Sequence, residues 1–151
     1  MREILFRGKR ISDGKWLYGS LENHLFRNSA DESPVTYIFD PDIEPDYHSF
    51  ECFDNIDCEV DPKTVGQYTG IEIGRKEKTK LFEGDVIQLN TELLLIEFSE
   101  RHLSFLGIKR KHKTKSRYAN WRDGNWLNIV SEYARIVGNR YDDPALIVGI
   151  E

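Results

Sequence analysis

Methionine occurs once in this 151-residue chain, cysteine twice and proline five times. No apolar run approaches the roughly 18 residues that a membrane-spanning helix needs. Each shortage removes a class of protein. Cys52 and Cys58 fit none of the common zinc spacings, and no second Cys or His pair stands at ligand distance in the sequence. A disulfide between them would close only a small loop, so they read as reduced, structural thiols. Alanine is too scarce for a helical bundle. The glycine motifs that cradle phosphates are missing, as are internal repeats and low-complexity tracts. The N-terminal "MREILFRGKR" is basic but carries neither the apolar core nor the cleavage site of a secretory leader. The expected setting is the cytoplasm, with no membrane partner and no cofactor.

What is present favours β-structure. Aromatic residues make up 12% of the chain, and Tyr, Phe, Trp, Ile, Val and Thr are common. The length suits one ordinary domain, able to hide roughly 70% of its unfolded surface without metals or disulfides. The formal charge of −5 suits a soluble protein better than a wholesale nucleic-acid binder. Its distribution is uneven. Between Asp40 and Asp61 every charged residue is acidic, whereas Lys109, Arg110, Lys111, Lys113, Lys115 and Arg117 reverse the sign.

Period-two alternation marks the strands. "REILFRGKR" and "KWLYGSL", joined at Asp13-Gly14, read as a hairpin. "TYIFD" reads as a further strand, and "PDIEPDYHSFECFDN" as a long loop. Asp61-Pro62 signals a turn or helix start, Thr69-Gly70 a turn, and "GRKEKTK" a polar tip. "DVIQLN", "LLLIEFS", "LSFLGIKRK", "NWLNIV" and "ARIVGN" then give five short extended runs, the spacing of a small barrel. "LLLI" is apolar enough to be buried on both sides. Asp143 before Pro144 fits the cap of a short closing helix.

"KLFEGDVIQLN" sets Glu83 and Asp85 on either side of Gly84. Two carboxylates can serve as acid and base, but they would have to converge on a cleft. The structural reading is a turn: Gly84 supplies a positive φ, Asp85 bonds a nearby amide, Glu83 faces water, and Leu81 and Phe82 anchor the turn. That reading is preferred.

Several blocks resemble the YopX family of phage and prophage proteins. They are "REILFRGKRISDGKWLYG", "VDPKTVGQYTG", "LFEGDVI" and "VGNRYDDPALI", in order and spanning nearly the whole chain. Between the second and third blocks, "IEIGRKEKTK" keeps Gly74 but departs from the family's lysine- and asparagine-rich turn. The resemblance implies a small, mostly β protein with an SH3-like barrel in its second half, in a bacterial host cytoplasm. It carries no catalytic residues over.

The candidate surfaces are therefore weighed one by one. Lys109, Arg110, Lys111, Lys113, Lys115 and Arg117, with Tyr118 and Trp121, mix cations with aromatic faces as nucleic-acid binders do. The plainer reading is a solvated loop whose tryptophans point inward. The same stretch could meet the acidic surface of Asp40, Asp42, Glu44 and Asp46 on another copy, giving head-to-tail assembly. Those four carboxylates lack the glycine and terminal glutamate of a calcium loop. Cys52 and His48 show no orienting third group. Trp16 and Tyr18 are expected in the core rather than on a ligand-facing patch.

The expectation is a mainly β protein. A β-rich N-terminal subdomain (1–60) packs against an SH3-like barrel (61–151) as one folding unit, since no flexible linker separates them. The expected role is a non-catalytic accessory protein that self-assembles or binds a bacterial or phage protein. Nucleic-acid binding through residues 109–126 is the alternative.

Overall fold

The computed structural model describes residues 3–24, 35–39, 57–101, 103–109 and 132–148. They are mainly β. The strands are β1 (Phe6–Lys9), β2 (Trp16–His24), β3 (Val35–Phe39), β4 (Gly66–Ile73), β5 (Thr79–Phe82), β6 (Asp85–Leu89), β7 (Glu92–Ser99), β8 (Ser104–Lys109) and β9 (Arg135–Asn139). They form two antiparallel sheets of order β3-β2-β1-β4-β5 and β8-β7-β6-β9. Among the described residues neither sheet closes on itself. The chain divides into two compact units, one up to Gln67 and one from Tyr68 onward. The division lies inside β4.

In the first unit, β1 and β2 form the expected hairpin, with Gly14 at φ 70 in its turn. Only a residue without Cβ takes that conformation cheaply. β3 lies antiparallel on β2. Residues 57–61 then bond to two strands at once. Ile11 N donates to Glu59 O (2.9 Å) and Asp61 N to Lys9 O (2.8 Å), while Val60 N donates to Thr36 O (2.9 Å) and Ile38 N to Cys58 O (3.1 Å). The interior holds the fully buried Ile38 and Val60. Gly8 lets them close in, because a Cβ there would stand 3.0 Å from Ile38 Cδ1. Asp61 caps a 3-10 turn over Pro62–Thr64, its side chain accepting from Lys63 N at 3.0 Å. This is the helix start that Asp61-Pro62 signalled.

In the second unit, the rest of β4 pairs with β5. The expected turn at Thr69-Gly70 is instead a bulge within β4: the register shifts between Tyr68 and Glu72, and Gly70 takes φ 84. A glycine at positive φ bends a strand without ending it when its neighbours keep their partners. Here Thr69 Oγ1 donates to Leu81 O at 2.8 Å and accepts from Ile71 N at 3.2 Å. β6 turns into β7 through Asn90-Thr91, with Asn90 at φ 55, a conformation that asparagine tolerates. β8 pairs with β7, and β9 with β6.

β6 and β7 are buried on both faces, as "LLLI" suggested. Ile87, Leu94 and Ile96 pack with Ile73, Leu81 and Ala134 on one side. Val86 and Leu95 pack with Ile108, Val137, Leu146 and Ile147 on the other. Pro144–Ile147 forms the short closing 3-10 turn, with Asp143 at its cap position.

Candidate functional site

The acid-glycine-acid turn is structural. Gly84 takes φ 84. Its amide donates to Ile96 O (2.8 Å) and its carbonyl accepts from Arg140 N (2.9 Å), which pins the turn between β7 and the loop after β9. Asp85 is 2% exposed, and its Oδ2 accepts from the buried Phe82 amide at 2.8 Å. Glu83 corrects the expectation that it only faces water. It is half-buried, and its Oε1 accepts from Phe98 N on β7 at 3.2 Å. The two carboxylates therefore diverge, each onto a different backbone amide. Beside them, Arg140 pairs with Glu97 at 2.7 Å and ties the same loop to β7.

The β1–β2 turn holds an ionic knot. The Arg10 guanidinium donates from Nε and Nη2 to the two Asp13 carboxylate oxygens at 2.9 and 2.8 Å, and from Nη1 to Asp57 O at 3.3 Å. Asp13 Oδ1 also accepts from Lys15 N at 3.0 Å, and Ser12 Oγ donates to the Asp57 carboxylate. The Arg10 side chain first, then the Lys15 amide, hold the Asp13 carboxyl well below the usual carboxylate range. This knot fastens the hairpin turn to residues 57–61.

Trp16 and Tyr18 do not join an apolar core. Lys9 lies opposite Trp16, and Arg7 opposite Tyr18, so all four share one face of the hairpin. The Arg7 guanidinium stands 4.6 Å from the Trp16 ring centroid and the Lys9 ammonium 5.5 Å. Both lie within cation–π range. Tyr18 is 43% exposed. The signal was legible as alternating cations in "RGK" facing alternating rings in "WLY". At the turn end of this face lies a shallow cleft of about 400 Å³, with Lys9, Ile11, Asp61 and Pro62 among its walls.

An apolar feature stands at the β7–β8 hairpin tip. Phe98 and Phe105 are cross-strand partners with ring centroids 5.3 Å apart. Phe98 is 44% and Leu103 80% exposed. Leu103 also takes φ 50, a conformation that costs a residue with a Cβ roughly 1–2 kcal/mol.

Of the sequence-predicted surface, Lys109 ends β8 opposite Leu94. Arg110, Lys111, Lys113, Lys115, Arg117, Tyr118 and Trp121 lie outside the described residues, as do Asp40, Asp42, Glu44 and Asp46. Cys58 is a buried, free thiol, and Cys52 lies outside the described residues. Among the described residues, no three His, Cys, Asp or Glu side chains gather as a metal site, and no helix is long and apolar enough to cross a membrane. A family model described as YopX protein matches residues 5–148. No curated protein matches the chain.

Proposed function

The chain belongs to the YopX protein family, and we propose that it is a non-catalytic accessory protein of a phage or prophage, acting by self-assembly or by binding a bacterial or phage protein. One observation carries this reading: Leu103, 80% exposed at φ 50, at the tip of the hairpin that also carries exposed Phe98. A large apolar side chain held in a disfavoured backbone conformation, facing water, is costly unless something uses it. A second copy, or another protein, covering the hairpin tip would bury Leu103, Phe98 and Phe105 together. The bulged β4 and the two-faced burial of β6 and β7 support an SH3-like reading of the second unit.

The test is sedimentation velocity over a concentration series, on the wild type and on Leu103→Asn. Asparagine removes the apolar contact while tolerating φ 50 better than leucine. Association should therefore weaken with no loss of thermal stability. A wild type that is monomeric throughout and captures no partner from host lysate refutes the proposal.

A further inference from the structure

We propose that the tip of the β4–β5 hairpin is a site for single-stranded nucleic acid, with Tyr133 as the stacking ring and Arg75, Lys76 and Lys78 as the phosphate contacts. This site shares no residue with the β7–β8 tip or with residues 109–126. Single-strand binders set cations that follow the backbone beside ring faces on which bases stack. The turn between Ile73 and Thr79 supplies the cations. It reads "GRKEK", three cations against one carboxylate, in a chain whose formal charge is −5. Arg75, Lys76 and Lys78 are all exposed. The ring comes from a distant part of the chain. Ala134 is buried against Ile73 and Leu81 of the same hairpin, which places its neighbour Tyr133, 61% exposed, beside the turn. The Arg75 guanidinium lies 5.4 Å from the Tyr133 ring centroid.

Two features suit this arrangement to a ligand. The first is the stack itself. Both of its members are exposed, and a cation over a ring in water contributes little to stability. A guanidinium beside a ring still has N–H donors to give, so Arg75 can take a phosphate without leaving Tyr133. The exposed surface of the ring is then open to a base. The second feature is that the turn is shaped in advance. Gly74 takes φ 118, and a Cβ there would collide with Glu77 O, so the chain doubles back tightly on itself. A turn fixed before binding costs less to order on binding. Glu77 in the turn and Glu132 beside Tyr133 are exposed as well. Ion pairs between exposed groups are weak and screened, so neither carboxylate withholds the cations from a polyanion. An acidic peptide would satisfy the cations but gain little from the tyrosine face. A duplex would meet the cations while keeping its bases stacked away from the ring. The ring therefore favours the single strand.

The experiment is fluorescence anisotropy of labelled oligothymidylate, oligouridylate and a duplex of equal length, titrated with the full chain over a series of salt concentrations. Either single strand should bind more tightly than the duplex, and the tighter of the two names the source. Tyr133→Ala should weaken binding by roughly 10-fold, while Tyr133→Phe, which keeps the ring, should bind like wild type. Arg75→Gln, Lys76→Gln and Lys78→Gln should each weaken binding and flatten the salt dependence, by about 0.7 in log–log slope per cation lost. Thermal melts on every variant separate loss of site from loss of fold. Should Tyr133→Ala melt early, the three charge variants, all in an exposed turn, carry the test. Five results overturn the proposal: no binding at low salt, duplex bound as tightly as single strand, undiminished binding by a folded Tyr133→Ala, a wild-type salt slope in all three charge variants, or full displacement by polyglutamate at matched charge.

Discussion

Replacing Gly84 with alanine separates two costs that the structure keeps distinct. The first is conformational. At φ 84 a Cβ crowds the following carbonyl, at a cost of roughly 1–2 kcal/mol. The second is a collision. The new Cβ would stand 2.8 Å from Tyr141 Cε2, well inside the ~3.5–4.0 Å of a good carbon–carbon contact. The ring cannot simply swing its backbone away. Tyr141 N and Asp142 N both donate to Asn139 Oδ1, at 3.0 and 2.9 Å, and Arg140 N donates to Gly84 O at 2.9 Å. Overpacking of this kind costs about 1–3 kcal/mol, so the total comes to about 2–5 kcal/mol. Gly70 is the control. It lies in the same unit, has the same φ of 84, and is exposed, so Gly70→Ala should cost only the first term. Urea melts should order the three proteins as wild type, Gly70→Ala, Gly84→Ala. Adding Tyr141→Ala to Gly84→Ala should show favourable coupling in a double-mutant cycle. If Gly84→Ala costs no more than Gly70→Ala, the turn is not pinned against Tyr141 and the structural reading of the acid-glycine-acid stretch fails.

Two further outcomes follow from ionisable groups. Arg10 holds the Asp13 carboxyl low, so its contribution to stability is complete above the ordinary carboxylate value of about 3.9 and is lost as pH falls through its lowered folded value. An NMR titration should find Asp13 ionised to lower pH than other exposed carboxylates, and Arg10→Gln should return it to the ordinary range; an ordinary value in wild type would refute the knot. Burial pushes the Cys58 thiol up, so its contribution is complete below the unfolded thiol's value and is lost as pH rises through the folded one. In a Cys52→Ser background, iodoacetamide should label Cys58 slowly until denaturant is added, and immediate labelling of the native protein would contradict its burial.

The sequence was most readable where one rule acts alone. Alternation located β1, β6, β7 and β9, and Asp13-Gly14 and Asp61-Pro62 marked real local structure, because turn chemistry depends on residues close in the chain. It was least readable where a distant partner decides. Thr69-Gly70 has the local signature of a turn, yet Leu81 O captures the Thr69 hydroxyl and keeps β4 paired through the bend. Leu81 and Phe82 were visible as anchors, but β5 as a strand was not, since its pairing rests on β4 across a polar tip. Glu83 looked exposed because nothing in "FEGD" announces that the Phe98 amide will arrive beside it. Trp16 and Tyr18 were assigned to the core on hydrophobicity, whereas the cross-strand register with Lys9 and Arg7 places them on a cationic face.

How the strand edges are used bears on how association would occur. β1 bonds to β2 on one side and to residues 59–61 and the start of β4 on the other, and β3 bonds to β2 and to residues 58–60. β6 and β7 each have partners on both sides. The inner ladders of both units are therefore occupied, and among the described residues β5, β8 and β9 each show one strand partner. The second unit also offers side-chain surface at the β7–β8 tip, where Leu103 and Phe98 extend beyond the last ladder pair or stand beside it. Contact through such a tip is set by shape and ring packing rather than by backbone hydrogen bonds. It should accordingly respond to the loss of one apolar side chain and be nearly indifferent to salt.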